Sequence, residues 1–295
     1  MAWASNKKIG YMFQIVPKGA ERWMAKLRKA EVILSTFDLV SAIMSSIWMI
    51  PFHKFKSIDY PRNDLLFIRG VKAKSFLRSL GDKKLVIYLP TTRKPMDKTL
   101  YEYWDIREGL PISDKLFFLS GFDIEKFVTF LKQNKLFLII KPHIYDTFVW
   151  EKSGVIKDIN IRYSNTIKII TLSDLFLNDM DLYEVLPFAD MLITEYSSVY
   201  NDYLLLDRPI VFWVPDFQDN IIGVVWPNCE RIMPGQICTS QDCLEEAIPS
   251  NLENPARYKM KREYMKNLIH ICQDGKSSYR VWQLIDNMLK GWDKQ

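Results

Sequence analysis

The sequence predicts an α/β protein built on a doubly wound parallel sheet. Three observations carry this. Short apolar runs rich in Val, Ile, Leu and Phe recur without polar alternation, as strands covered on both faces do. Segments with helical spacing lie between them. Several chemically active residues fall directly after those runs, where open α/β sheets bind ligands.

In chain order, the expected strands are Glu31–Leu34, Lys84–Leu89, Leu136–Ile140, Ile167–Thr171, Met191–Thr194 and Ile210–Val214. Asp123–Gln133 places Phe127, Phe130 and Leu131 at helical spacing, and Leu182–Ala189 and Ser197–Leu206 are further helices. The tail reads as helices at Cys243–Ile248, Pro255–Cys272 and Tyr279–Leu289. Asp59–Asp64 carries Pro61 and reads as a hinge. It divides residues 1–80, too short for a complete doubly wound unit, from a larger unit spanning 81–295. Val40–Phe52 is the most apolar stretch; it is too short to span a bilayer and contains three serines. A buried helix is favoured for it over a membrane-surface contact.

With 295 residues, 48% hydrophobic and 25% charged, the chain has the composition of a folded globular protein. Its formal charge of +5 suits phosphate ligands or an anionic membrane surface and is too weak to argue for nucleic acid. Four cysteines without a CxxC pair and only three histidines point away from a disulfide framework and from a Cys- or His-rich metal site. The absence of an apolar run after Met1–Lys8 argues against a signal peptide, and a reducing cytoplasm is the simplest expectation.

Four features could carry chemistry. The densest is Asp190–Leu204, where a strand ends near Thr194, the chain turns through Glu195 and Tyr196, and a helix begins near Ser197. Ser197 and Ser198 could add hydroxyl donors to free backbone N–H groups and cradle a pyrophosphate, or Ser197 could simply cap the helix. Lys141-Pro-His143 leaves a second strand; an imidazole with an unperturbed pKa of about 6.5 could take a proton or bind phosphate, or could bond to backbone. Tyr88–Arg93 leaves a third, with Thr91 and Arg93 suited to phosphate, or forming an exposed turn. Asp274–Arg280 resembles a P-loop only superficially, lacking the upstream glycine and strand. Parallel topology would bring the first three to one edge, which raises the binding reading above each bland alternative.

Ile193-Thr-Glu-Tyr-Ser-Ser198, Asp202-Tyr203 and Arg208-Pro209 resemble the signature of the CDP-glycerol glycerophosphotransferases of teichoic acid synthesis. Four more segments are similar to family motifs, in the same order: Tyr60–Phe67, Tyr88–Arg93, Lys141–His143 and Asp274–Arg280. The resemblance runs from about Lys7 to Arg280. It implies a GT-B-like architecture whose Rossmann-like second lobe holds the donor. It implies transfer of a polyol phosphate, glycerol phosphate foremost, from CDP-glycerol or CDP-ribitol to a hydroxyl of a lipid-linked or cell-surface glycan acceptor, releasing CMP. His143 would be general base or phosphate ligand. Thr91, Arg93, Lys141, Glu195, Ser197 and Ser198 would hold the donor, with Asp202 and Arg208 shaping the nucleotide pocket. No cofactor is implied, although a divalent ion could bridge the pyrophosphate. Family members act at the cytoplasmic membrane face. The chain departs from the pattern at Glu195, an aspartate in the family, and at Thr92, a tryptophan there. No His-Gly element precedes Lys7-Lys8-Ile9-Gly10, so residues 1–80 are expected to be a remnant of the acceptor-side lobe. Two other readings stay open: a non-catalytic nucleotide-binding remnant, and another GT-B nucleotide-sugar glycosyltransferase.

Overall fold

The computed structural model describes residues 25–78, 81–91, 111–215 and 229–292. Eight strands occur among them. β1 (Ile33–Ser35) and β2 (Phe55–Ser57) form a small parallel pair. The other six form one parallel sheet: β3 (Lys84–Leu89), β4 (Leu136–Ile140), β5 (Ile167–Ile169), β6 (Met191–Thr194), β7 (Ile210–Trp213) and β8 (Gln236–Cys238). Their spatial order is β5-β4-β3-β6-β7-β8. The order reverses between β3 and β6, which is the switch point at which doubly wound sheets bind ligands.

The strands are apolar throughout because both faces are covered. Side chains alternate along β3: Leu85, Ile87 and Leu89 join one core, Val86 and Tyr88 the other. The second core holds an aromatic cluster. Phe117 stacks on Tyr88 and Phe122 and meets Phe127 and Trp213 edge-on, and the Trp213 indole N–H donates to the Phe117 carbonyl at 2.6 Å. The first core is shared with residues 25–78. Val40, Met44, Trp48, Ile50, Phe55 and Leu66 pack into the same apolar cluster as Leu192, Phe212 and Ile269.

The apolar stretch Val40–Phe52 is mostly the buried face of helix Asp38–Trp48, with Met49 and Phe52 exposed just beyond it. No described helix is long and apolar enough to cross a membrane. The helix expected over Ser197–Leu206 is only Val199–Tyr203, continued as a 3-10 turn at Leu204–Leu206. Strand β8 (Gln-Ile-Cys) and strand β2 (Phe-Lys-Ser) escape sequence reading because neither lies in an apolar run.

The segment read as a hinge carries several long-range hydrogen bonds. Asp59 bonds His270, Arg62 and Asn63 bond Asp202, and the Asp64 carboxylate accepts from the backbone N–H groups of Ser277 and Ser278 at 2.8 and 2.7 Å. Asp64 thereby caps helix Ser277–Trp292. Gly275 lies at φ +66, and a Cβ there would stand 2.9 Å from the Phe67 side chain. The Asp274–Arg280 motif forms a turn docked against Asp64 and Phe67.

Candidate functional site

Three loops meet at the switch point because their strands are neighbours. β3 pairs with β4 through Tyr88 opposite Ile140, and with β6 through Leu89 opposite Thr194. Thr91, Lys141–His143 and Glu195–Ser198 leave those strand ends at one edge. The ladder extends slightly beyond the strands: the Lys141 N–H donates to the Tyr88 carbonyl at 3.0 Å, and the Thr194 hydroxyl to the Leu89 carbonyl at 2.9 Å.

Glu195 is fully buried, with 0% exposure. Its carboxylate accepts from the Tyr88 hydroxyl at 2.6 Å and from the Thr91 N–H at 3.1 Å. A buried carboxylate is tolerable only when so satisfied. Glu195 thereby joins the first loop to the third.

Lys141 lies half-buried after β4. Burial holds its ammonium below the ordinary lysine value, with Asp181 pulling the other way. Its Nζ donates to the Pro142 carbonyl at 3.3 Å, and no described carboxylate forms an ion pair with it. A partly desolvated cation of this kind is ready for an anion. His143 starts helix Ile144–Lys152, its carbonyl accepting from the N–H groups of Asp146 and Thr147 at 2.8 and 3.0 Å.

The Ser197 hydroxyl oxygen accepts from the Val199 N–H at 3.4 Å, while Ser198 lines a small cleft together with Tyr60, Asn201 and Asp202. Thr36, Val40, Met44 and Ile269 complete that cleft. With five residues in the helix, the expected pull of a helix N-terminus on phosphate is small, and the serine hydroxyls and loop N–H groups carry more of the argument. Arg93, like Thr92, lies outside the described residues.

Asp202 is buried and accepts from Arg62 at 2.9 Å, from the Tyr183 hydroxyl, and from Asn63 at 3.4 Å. Arg62 lies over the Tyr60 and Tyr183 rings. Burial first, and the Asp202 charge second, push both tyrosine hydroxyls above their ordinary range. Arg208 is set apart from the other sequence-selected residues. Its guanidinium donates to the Ala189 carbonyl, ahead of β6, and so lies at the amino edge of the sheet.

Sequence reasoning missed Arg62, Tyr183, Asp59 and His270. The dense polar run 59–64 was the available signal, and a charged cluster between two apolar regions is as compatible with a buried clasp as with a hinge.

Comparison with known proteins bears on the fold and the family. The sequence profile described as CDP-Glycerol:Poly(glycerophosphate) glycerophosphotransferase matches residues 4–287. A teichoic acid glycerol-phosphate transferase of Staphylococcus aureus is 26% identical over 279 residues, covering 91% of this chain and 61% of that protein. A teichoic acid poly(glycerol phosphate) polymerase of Bacillus spizizenii is 30% identical over 202 residues, covering 66% of this chain and 44% of its own length. This chain thus spans about three fifths or less of these relatives. Among solved structures, the wall teichoic acid polymerase TagF superposes with a TM-score of 0.69 at 23% identity, over 95% of this chain and 62% of that one. A UDP-N-acetylglucosamine 2-epimerase from Listeria monocytogenes follows the same fold at a TM-score of 0.53 and 14% identity. The fold is GT-B-like, and the chain belongs to the CDP-glycerol:poly(glycerophosphate) glycerophosphotransferase family.

Proposed function

We propose that this protein transfers a polyol phosphate, glycerol phosphate foremost, from a CDP-polyol to a hydroxyl of a lipid-linked or cell-surface glycan acceptor. The acceptor oxygen attacks the β-phosphorus in line. The bond from that phosphorus to the bridging oxygen breaks, and CMP leaves. His143 takes the hydroxyl proton. Lys141 and Arg93 neutralise the pyrophosphate, and Thr91, Ser197 and Ser198 orient it. Residues 81–295 form the donor side and residues 1–80 the acceptor side. TagF has been soaked with CDPG, and the curated relatives are named for glycerol-phosphate and ribitol-phosphate transfer.

The observation that carries the reading is the convergence of Thr91, Lys141–His143 and Ser197–Ser198 on adjacent strand ends at the switch point. A membrane surface fits the acceptor's lipid anchor, the charge of +5 and the exposed Met49 and Phe52. The test is CMP release from CDP-glycerol in the presence of a lipid-linked glycan ending in glycerol phosphate. His143→Ala is expected to lower it by about 100-fold or more, as loss of a general base does, while CDP-glycerol still binds. Release unchanged by that substitution would make His143 structural.

A further inference from the structure

The cleft beside Ser198 is backed by a buried pair that none of the reaction steps uses. His270 has 0% side-chain exposure and Asp59 1%. The ring Nδ1 lies 2.9 Å from the Asp59 Oδ2, and Nε2 lies 2.8 Å from the Asn201 carbonyl oxygen. A carbonyl only accepts, so Nε2 carries a hydrogen. With Nδ1 against the Asp59 carboxylate, a second ring hydrogen and the imidazolium form are favoured. Asp59 itself sits at φ +69, the left-handed region that a non-glycine residue enters at a cost. Its Oδ1 accepts from the Tyr60 N–H and the Asn63 amide, each at 2.7 Å.

The pair joins the walls of the cleft. Tyr60 follows Asp59, Ile269 precedes His270, and Asn201 is gripped through its carbonyl; all three line the cleft with Ser198. The Ile271 N–H donates to the Thr36 carbonyl at 2.9 Å, tying in a fourth lining residue. The segment being held, Val199–Tyr203, is too short to keep its own orientation.

We propose that His270 and Asp59 are positioning residues: an ion pair that sets the Ser198–Asp202 wall against Tyr60 and so places the donor for in-line attack. The proposal rests on the phosphotransfer reading above. His270→Gln leaves a side-chain oxygen facing the Asp59 carboxylate and should loosen the wall. The double variant Asp59→Asn/His270→Gln rebuilds the pair without charge. The amide N–H introduced at position 59 donates to the amide oxygen introduced at position 270, whose own N–H still donates to the Asn201 carbonyl.

The experiment compares wild type, His270→Gln and the double variant by hydrogen–deuterium exchange over residues 197–206 and by CMP release from CDP-glycerol. The expected result is faster exchange and a roughly 10- to 100-fold lower kcat, with KM changed less than about threefold, in His270→Gln. Both recover in the double variant. Unchanged exchange in His270→Gln overturns the proposal whether or not the protein turns over CDP-glycerol. So does a fall in activity that only tracks the folded fraction. No CMP release from wild type counts against the phosphotransfer reading alone, and the exchange comparison still decides the positioning role.

Discussion

A carboxylate taken wholly out of water needs donors, and Glu195 takes one from β3 and one from the loop after it. The same rule explains Asp202, which collects Arg62, Tyr183 and Asn63, and Asp59, which collects Tyr60, Asn63 and His270. These acids are inward-facing joints, which leaves Lys141 as the described cation with no carboxylate partner at the edge. Lys141→Met should weaken CDP-glycerol binding by roughly 10- to 100-fold, the worth of one charged hydrogen bond at about 1.5–3 kcal/mol, measurable by titration calorimetry. His270 adds a pH dependence. Burial alone would lower its pKa, but the hydrogen bond and charge of Asp59, the charge of Asp202 and the Asn201 carbonyl carry it above the ordinary histidine value. The folded protein therefore binds this proton more tightly than the unfolded chain. The stabilisation is full below about pH 6.5 and is lost as pH rises through the folded value. Urea midpoints should fall across that window in wild type and stay flatter in Asp59→Asn/His270→Gln.

At the scale of elements, the strands set in an apolar run were legible from sequence, including the short β1 and β5, and those outside such a run were not. Lys84–Leu89, Leu136–Ile140 and Met191–Thr194 fall where the apolar runs lie, because burial on both faces forces that composition. Gln236–Cys238 has one aliphatic residue, Ile237, and no apolar run around it. The sequence also could not distinguish a polar clasp from a hinge at 59–64, since the partners of that run lie about 140 to 213 residues away. The strand-end motifs were readable because parallel pairing collects them automatically. The placement of Arg208 was not, because Arg-Pro before an apolar run does not say which sheet edge it occupies. The Gly275 turn gives a direct check. Gly275→Ala combines a left-handed φ with a contact against Phe67 and should cost roughly 1–3 kcal/mol in urea unfolding. Asp64→Ala should cost about 1 kcal/mol through loss of the helix cap.

In the whole molecule, one sheet organises both cores, and apolar side chains of residues 27–77 and of Met265, Leu268 and Ile269 pack over its first face. Segments at the two ends of the chain thereby meet beside the switch point, where Asp59, Asp64, His270 and Ser277 lock them together. The chain covers about three fifths of the glycerol-phosphate transferase it resembles, and its described residues contain a six-stranded parallel sheet with its switch point. The central claim is that this edge receives a CDP-polyol, and thermal unfolding with and without ligand tests it most directly. CDP-glycerol at about 100 times its Kd should stabilise the protein by about 2.7 kcal/mol, a rise of several degrees in Tm, while UDP-N-acetylglucosamine at equal concentration leaves Tm unchanged. A clear rise with the UDP-sugar and none with CDP-glycerol or CDP-ribitol would contradict the account.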